Sequence, residues 1–419
     1  MTHKLEDEIL KNPEIKYAMQ ALMQRENGLS LEECIEQVCL YVDSVGSAVN
    51  PFVMLVTNII ANHVVTKSFS NVYATGSREA LEVMREGNIA VVSSHSSYLD
   101  VAVIPRLLAE YDIGNVFYMG GENVPRIPHI GSLVNYWLLN SGFVPIKRSF
   151  VQEREMGHLY VAVIRADAKH ILGGGKVLVN FSGRGRQRHG FIEPVNLTVT
   201  PSILEASRFI AFMTITYETF PEALDFALNL TSKGGANIGD GFKLTTPEES
   251  YGSVYVNFGS LIETQAYMRN IDGLHPEAAI KRFHEEATDG LRRLVTLTPK
   301  SALSTALLDL TASATARGKS SVTISDLVDA AGETVGKARA AGVSIAYELA
   351  PNVPSTVKKS LEEAAWYFIN CGALNVKAHE TIEVADARLP QFYANHVAYA
   401  LGKPHILLNQ NHRPQRVNS

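Results

Sequence analysis

The sequence predicts an α/β protein: a mixed sheet with flanking helices, preceded by a helical N-terminal region and followed by a mostly helical C-terminal region. Three observations lead there. Up to about residue 75 apolar residues recur at helical spacing, as at Leu31, Ile35, Val38 and Val42, without strand signals. From about residue 76, short β-rich apolar runs alternate with helical segments, the pattern of an α/β layer architecture. Past about residue 275, Ala, Leu and Lys become frequent and strand signals thin out. The expected division is therefore 1–75 helical, 76–275 α/β and 276–419 mostly helical.

Taken in order, the start Met1-Thr2-His3-Lys4-Leu5-Glu6-Asp7-Glu8 is acidic and lacks the apolar core of a secretory signal. Phe52 to Val65 is the most apolar stretch, but Thr57, Asn58, Asn62 and His63 interrupt it. It is shorter than the roughly 20 apolar residues a bilayer span needs, so it is read as a buried helix. Strands are expected at Ile89 to Ser93, Val116 to Tyr118, Phe143 to Pro145, Val177 to Asn180, Ile210 to Tyr217 and Val254 to Phe258. Helices are expected at Tyr98 to Glu110, His129 to Asn140 and Gln152 to Leu172, the last ended by Gly173-Gly174-Gly175. Asn409 to Ser419 is a polar tail.

The chain has 419 residues, 46% hydrophobic and 19% charged, and a net charge of -5. That composition is ordinary for a globular protein with a sizeable core. It offers no basic face for nucleic acid, so no nucleic-acid partner is expected and any phosphate site must be local. Three cysteines, Cys34, Cys39 and Cys371, make no disulfide framework and no C-x-x-C pair, so no metal site is expected and a reducing, cytoplasmic setting fits. Peripheral contact with a membrane, at its inner face, stays open because an amphipathic surface helix leaves only a weak signature.

Three segments carry chemistry. In His95-Ser96-Ser97-Tyr98-Leu99-Asp100 a histidine lies in a strand-to-helix turn with a carboxylate five residues on. A reaction in which a hydroxyl attacks a carbonyl needs a base near neutral pH and a group that holds the imidazole tautomer. His95 and Asp100 suit those roles. Ser97-x-x-Asp100 equally fits a capping box at a helix start, with Ser96 and Ser97 as caps. The second segment, Gly142-Phe143-Val144-Pro145-Ile146-Lys147-Arg148, is an apolar strand ending in two cations. The third, Ser182-Gly183-Arg184-Gly185-Arg186-Gln187-Arg188-His189-Gly190, suits a phosphate: glycines admit backbone N–H groups and guanidinium groups grip oxygens in pairs. It lacks the Gly-Lys-Ser/Thr ending of a Walker loop. Each of the two basic segments also fits a solvated surface turn.

In this order the segments resemble the glycerolipid acyltransferase superfamily. Its first block resembles His95 to Asp100, its second Gly142 to Arg148, its third Phe181 to Gly190 and its fourth Ile215-Thr216-Tyr217-Glu218. Tyr255-Val256-Asn257-Phe258-Gly259, Val295-Thr296-Leu297-Thr298-Pro299 and Leu389-Pro390-Gln391-Phe392-Tyr393-Ala394-Asn395-His396 are similar to segments of the bacterial and mitochondrial glycerol-3-phosphate and peroxisomal dihydroxyacetone-phosphate acyltransferases. The resemblance implies a glycerol-3-phosphate acyltransferase-like core, with His95 and Asp100 catalytic and Lys147, Arg148, Arg186 and Arg188 holding the acceptor's phosphate. Ser182, Gly183, Arg184 and Gly185 would be additional contacts. It further implies no cofactor, acyl-CoA or acyl-carrier protein as donor, and glycerol 3-phosphate as partner. The acyl chain would need an apolar groove, for which the Gly131 to Leu139 helix is a candidate lining. One departure stands out: the relatives usually carry a Glu-Gly pair in the third block, where this chain has Ser182-Gly183. That motivates one alternative, a catalytically silent acyl-carrier- or lipid-binding homologue; a second is a dihydroxyacetone-phosphate acyltransferase, because both acceptors offer a phosphate and a primary hydroxyl.

Overall fold

The computed structural model describes residues 8–25, 28–46, 48–121, 140–153, 156–182, 187–228, 250–317, 322–350 and 354–405. The N-terminal part holds α1 (Pro13–Met23), α2 (Leu31–Val45) and α3 (Pro51–Ser68). Each starts where capping predicts: Asn12, Ser30 and Asn50 accept hydrogen bonds from backbone amides of the first turn. Then come β1 (Asn71–Gly76), α4 (Arg78–Glu86), β2 (Ile89–Ser93), α5 (Asp100–Glu110), β3 (Val116–Gly121), β4 (Phe143–Ile146), the short α6 (Arg148–Gln152), α7 (Gly157–Gly173) and β5 (Val177–Phe181). The series continues through α8 (Thr200–Ala206), β6 (Phe209–Tyr217), α9 (Ala223–Leu228), β7 (Ser253–Phe258), β8 (Ile262–Glu263), α10 (Thr264–Asn270) and α11 (Pro276–Arg293). The last stretch has β9 (Thr296–Leu297), α12 (Pro299–Arg317), β10 (Val322–Thr323), α13 (Ile324–Ala340), β11 (Ser344–Ile345), α14 (Pro354–Asn370), β12 (Leu374–Val376), β13 (Thr381–Val384) and α15 (Arg388–Ala398).

The main sheet runs β1-β7-β6-β2-β5-β3-β4, with β8 also paired to β6. From β6 to β4 all neighbours are parallel, whereas β7 is antiparallel to β6 and β1 parallel to β7. This is the mixed sheet with flanking helices that the sequence predicts. The central strands are buried on both faces, which is why β2 and β5 read as near-continuous apolar runs. Because β2, β5, β3, β4 and β6 are parallel, the segments following them emerge at one edge of the sheet, the usual place for a site in such a sheet.

Several expectations are corrected. The N-terminal 75 residues are not wholly helical: Asn71–Gly76 forms β1, which pairs with β7. As an edge strand exposed or half-buried along its whole length, it shows no alternation to read. Phe52 to Val65 is helical but not buried all round. Val53, Ala61 and Val65 face inward while Phe52, Leu55, Ile59 and Ile60 are exposed, because α3 lies against α5 along one narrow stripe. The expected helix Gln152 to Leu172 is two pieces. The Phe150 ring meets Tyr160 edge-on at 5.2 Å and Tyr41 at 5.2 Å, whereas residues ten apart on one continuous helix would stand about 15 Å apart along its axis. The helix expected at Tyr98 starts at Asp100. The helix expected at His129 to Asn140, with its groove-lining Gly131 to Leu139, lies outside the described residues except for the helical Asn140.

The C-terminal region is tied to the sheet by side chains of β6 and β7. Thr214 donates to the Leu294 carbonyl at 2.9 Å, Asn257 donates to Thr296 Oγ1 at 2.7 Å, and the Thr296 amide donates to Thr216 Oγ1 at 3.2 Å. Helix α12 packs on α13, α14 and α15, and α15 on α9.

Candidate active site

The turn 94–99 leaves the carboxyl end of β2 as an extension of the sheet. Ser94 N–H donates to the Met213 carbonyl at 2.9 Å, Ser94 Oγ accepts from Ile215 N–H at 3.0 Å, and Ser96 Oγ donates to the Ile215 carbonyl at 2.9 Å. Two serine hydroxyls thus replace ladder bonds to β6 where the backbone peels away. Ser96 therefore does not cap the helix. Ser97 does act locally, accepting from Leu99 N–H at 3.0 Å.

Held this way, His95 and Asp100 face each other. The imidazole Nδ1 lies 2.9 Å from Asp100 Oδ2, with the His95 side chain 21% exposed and Asp100 at 0%. The same Oδ2 accepts from Ser96 N–H at 2.8 Å and Ser97 N–H at 3.1 Å, and Oδ1 accepts from the Tyr217 hydroxyl at 2.5 Å. Helix α5 carries no side-chain cap hydrogen bond, so the capping box is not formed; the Asp100 carboxylate instead takes amides of the preceding turn and faces the histidine. A carboxylate only accepts, so Nδ1 carries the ring proton and Nε2 offers its lone pair. Phe181, at the end of β5, sets its ring 4.8 Å from the imidazole.

Tyr217 is the functional neighbour that sequence reasoning named within a block without giving it a task. Burial, reinforced by the charge of Asp100, drives its pKa well above the ordinary phenol value, so it remains a donor. No sequence pattern announces this contact across 117 residues. Glu222, just past β6, is equally silent in sequence: it accepts from Tyr98 N–H at 2.8 Å and so helps fix the turn.

The basic segments sit at graded distances. Register aligns Ser93 with Phe181, Asn180 with Met119, and Gly120 with Pro145, so Lys147 emerges level with His95 but three strands away. At strand spacing that is roughly 14 Å. Lys147 is half-buried, its amide donates to Tyr160 Oη at 2.9 Å, and its Nζ lies 5.0 Å from the Phe150 ring centre. Arg148 opens α6; its side chain lies outside the described residues, as do Gly183, Arg184, Gly185 and Arg186. Ser182 is buried and donates its amide to the Ser93 carbonyl at 2.7 Å. The turn 187–190 lies closest, since Gln187 N–H donates to the His95 carbonyl at 3.1 Å. Arg188 in that turn is exposed. The side-chain Oε1 and Nε2 of Gln187 and the Nδ1 of His189 are buried with no hydrogen-bond partner among the described residues.

Among the described residues no three His, Cys, Asp or Glu side chains are grouped as a metal site would need. What the described residues offer chemically is an imidazole oriented by a carboxylate, next to the turn that carries Arg188.

Residues 74–193 match the model of a protein family described as Acyltransferase. The matched stretch covers less than half of the chain and contains His95, Asp100, Lys147 and the turn at Arg188. No curated protein shows a significant match to the chain. Among solved structures it is similar to the crystal structure of the 1-acyl-sn-glycerophosphate (LPA) acyltransferase from Thermotoga maritima, at 12% identity and a TM-score of 0.33, over 68% of this chain and 92% of that one.

Proposed function

We propose that the protein is an acyltransferase of glycerolipid synthesis that moves a fatty acyl group from a thioester, acyl-CoA or acyl-carrier protein, to the sn-1 hydroxyl of glycerol 3-phosphate. The observation that carries this reading is the His95–Asp100 pair, 2.9 Å apart, with the carboxylate saturated by donors and the imidazole still reachable. The match to an acyltransferase family model over the stretch that contains the pair supports it.

In this mechanism His95 Nε2 takes the proton of the acceptor hydroxyl as its oxygen forms the ester C–O bond. The C–S bond breaks and the leaving thiolate recovers the proton from the imidazolium. Asp100 keeps Nδ1 protonated and steadies the charged ring. Direct transfer needs no acyl-enzyme: Cys34 is buried and Cys371's thiol is pushed up by burial, the opposite of an activated nucleophile. Lys147, Arg148, Arg186 and Arg188 are proposed to hold the phosphate, which fixes the hydroxyl presented to His95. With Arg188 closest and Lys147 across the sheet, the phosphate would lie on the β5 side of the base.

The exposed Phe52, Leu55, Ile59 and Ile60 of α3 favour peripheral contact with the inner face of a membrane, where the acylated product partitions. No helix among the described residues is long and apolar enough to cross one. Sedimentation with vesicles of mixed zwitterionic and anionic lipid should carry the wild type down and leave Ile59→Glu in solution; equal sedimentation of both would reject α3 as the contact.

The deciding experiment is acyl transfer by the purified protein with glycerol 3-phosphate and dihydroxyacetone phosphate in competition, offered both donors. His95→Ala should lower turnover by about a hundredfold or more. Arg188→Ala should mainly raise KM for the acceptor. Preference for dihydroxyacetone phosphate would replace the acceptor, and undiminished turnover in His95→Ala would remove the base.

A further inference from the structure

Helix α15 lies some 300 residues after the catalytic turn in sequence, and about 200 after residues 187–190, yet it clamps that segment, which supports His95. His396 is buried, its Nδ1 3.2 Å from the Gly190 carbonyl and its Nε2 3.0 Å from Thr216 Oγ1. A carbonyl only accepts, so Nδ1 carries the proton and Nε2 accepts from the threonine hydroxyl, whose oxygen in turn accepts from Thr296 N–H. Every group in this chain is satisfied in one arrangement only. Burial pushes the His396 pKa down to about 4, in keeping with an uncharged ring. Asn395 adds a second clamp, its Nδ2 donating to the His189 carbonyl at 2.9 Å. The contact is close at backbone level too: Gly190 has φ +82, and a Cβ there would lie 2.0 Å from the Phe392 carbonyl oxygen.

The clamped turn is the one that touches the base. Gly190 N–H donates to the Gln187 carbonyl at 3.1 Å, closing the turn, and Gln187 N–H donates to the His95 carbonyl at 3.1 Å. A hydrogen-bonded path therefore runs from α15 through residues 187–190 to the backbone of His95. Strand β6 serves the same pair of elements with consecutive residues, Thr216 toward His396 and Tyr217 toward Asp100, as strand alternation requires.

We infer that His396 and Asn395 are positioning residues: they set the turn 187–190, and through it the placement of His95 relative to Arg188. This deepens the acyltransferase reading and rests on it for the kinetic effect alone. A buried histidine that only filled the core would contribute to stability without a donor requirement at Nδ1, and that difference is testable.

The test compares His396→Ala with His396→Asn, whose side-chain amide can place a donor near the position of Nδ1. At a temperature where all forms remain folded, His396→Ala should lower kcat/KM for the phosphorylated acceptor by on the order of ten- to a hundredfold, as a displacement of about 1 Å does. Its KM for the thioester should stay unchanged, and His396→Asn should recover most of the loss. Hydrogen exchange at the Gln187 and Gly190 amides should accelerate in His396→Ala and return toward wild type in His396→Asn. Wild-type exchange at both amides in a folded His396→Ala overturns the inference, as does an equal loss of activity in both variants. Should His396→Ala not fold, Asn395→Ala is read by the same two measurements. If the wild type acylates no phosphorylated acceptor, the functional reading falls while the exchange data still decide the clamp.

Discussion

Asp100 and Asp167 are both buried, at 0% and 2% exposure, and both belong to helices packed beside the main sheet. Their surroundings differ. Asp100 opens α5, and the backbone amides of Ser96 and Ser97 in the turn before it, an imidazole and a phenol converge on its oxygens. Asp167 sits in the interior of α7, where backbone amides are already spent on the helix, and its Oδ2 has no hydrogen-bond partner among the described residues. Burial accordingly pushes the Asp167 carboxyl up to about 7. Burial alone does not set a carboxylate's state; the supply of donors does, and the turn 94–99 together with Tyr217 of β6 supplies them to Asp100, whereas the interior of α7 leaves Asp167 Oδ2 without one among the described residues.

The sharpest way to break this contrast is at Asp100 itself. Asp100→Asn presents an NH₂ group to a pocket built of donors and releases the imidazole tautomer, so kcat should fall by about a hundredfold or more with acceptor KM little changed. A steady-state assay that found near-wild-type kcat would show that the donors serve only to hold the turn.

Next in size is the pH response of Asp167. Its folded pKa, about 7, lies above the ordinary 3.8, so the folded state keeps a proton that the unfolded chain releases. The associated stability is fully present below about pH 4 and is lost as pH rises toward 7, a change on the order of 4 kcal/mol. Asp167→Asn cannot ionise. Denaturant melts at pH 5 and pH 8 should show the variant gaining on the wild type at the higher pH, with acyl transfer unaffected. Taking the difference between the two proteins cancels His396, whose lowered pKa acts in the opposite direction between about 4 and 6.5. A difference independent of pH would mean that Asp167 finds a partner in solution.

The smallest effect is expected from Tyr217→Phe, which removes one of the four donors from Asp100 and leaves the ring in place. A roughly tenfold drop in kcat corresponds to about 1.4 kcal/mol, the scale of one hydrogen bond to a charged group. No change in kcat, measured with the same acceptor, would assign Tyr217 to packing alone.

Much of this molecule was legible because local patterns and buried strands leave direct marks. The strands Ile89–Ser93 and Val177–Phe181 are apolar on both faces, and the glycines that end α7 stop it where expected. The edge strand Asn71–Gly76 and the break between α6 and α7 left no such mark, since one depends on pairing with β7 and the other on aromatic rings brought from α2. Likewise the apolar residues of α3, though interrupted by Thr57, Asn58, Asn62 and His63, do not say which of them are buried; the position of α5 decides that.

For the site, the sequence by itself supplied His95, Asp100, Lys147 and Arg188 as candidates in that order, from residue type and from a family resemblance, because each lies in a short local segment. The tertiary structure alone decided that Asp100 receives Tyr217 from β6, that Lys147 stands three strands from the base while residues 187–190 touch it, and that α15 holds that turn. Hydrogen bonds are directional and short, so partners separated by more than 100 residues meet only when strand register and helix packing bring them within about 3 Å, and no local pattern in the chain encodes that distance.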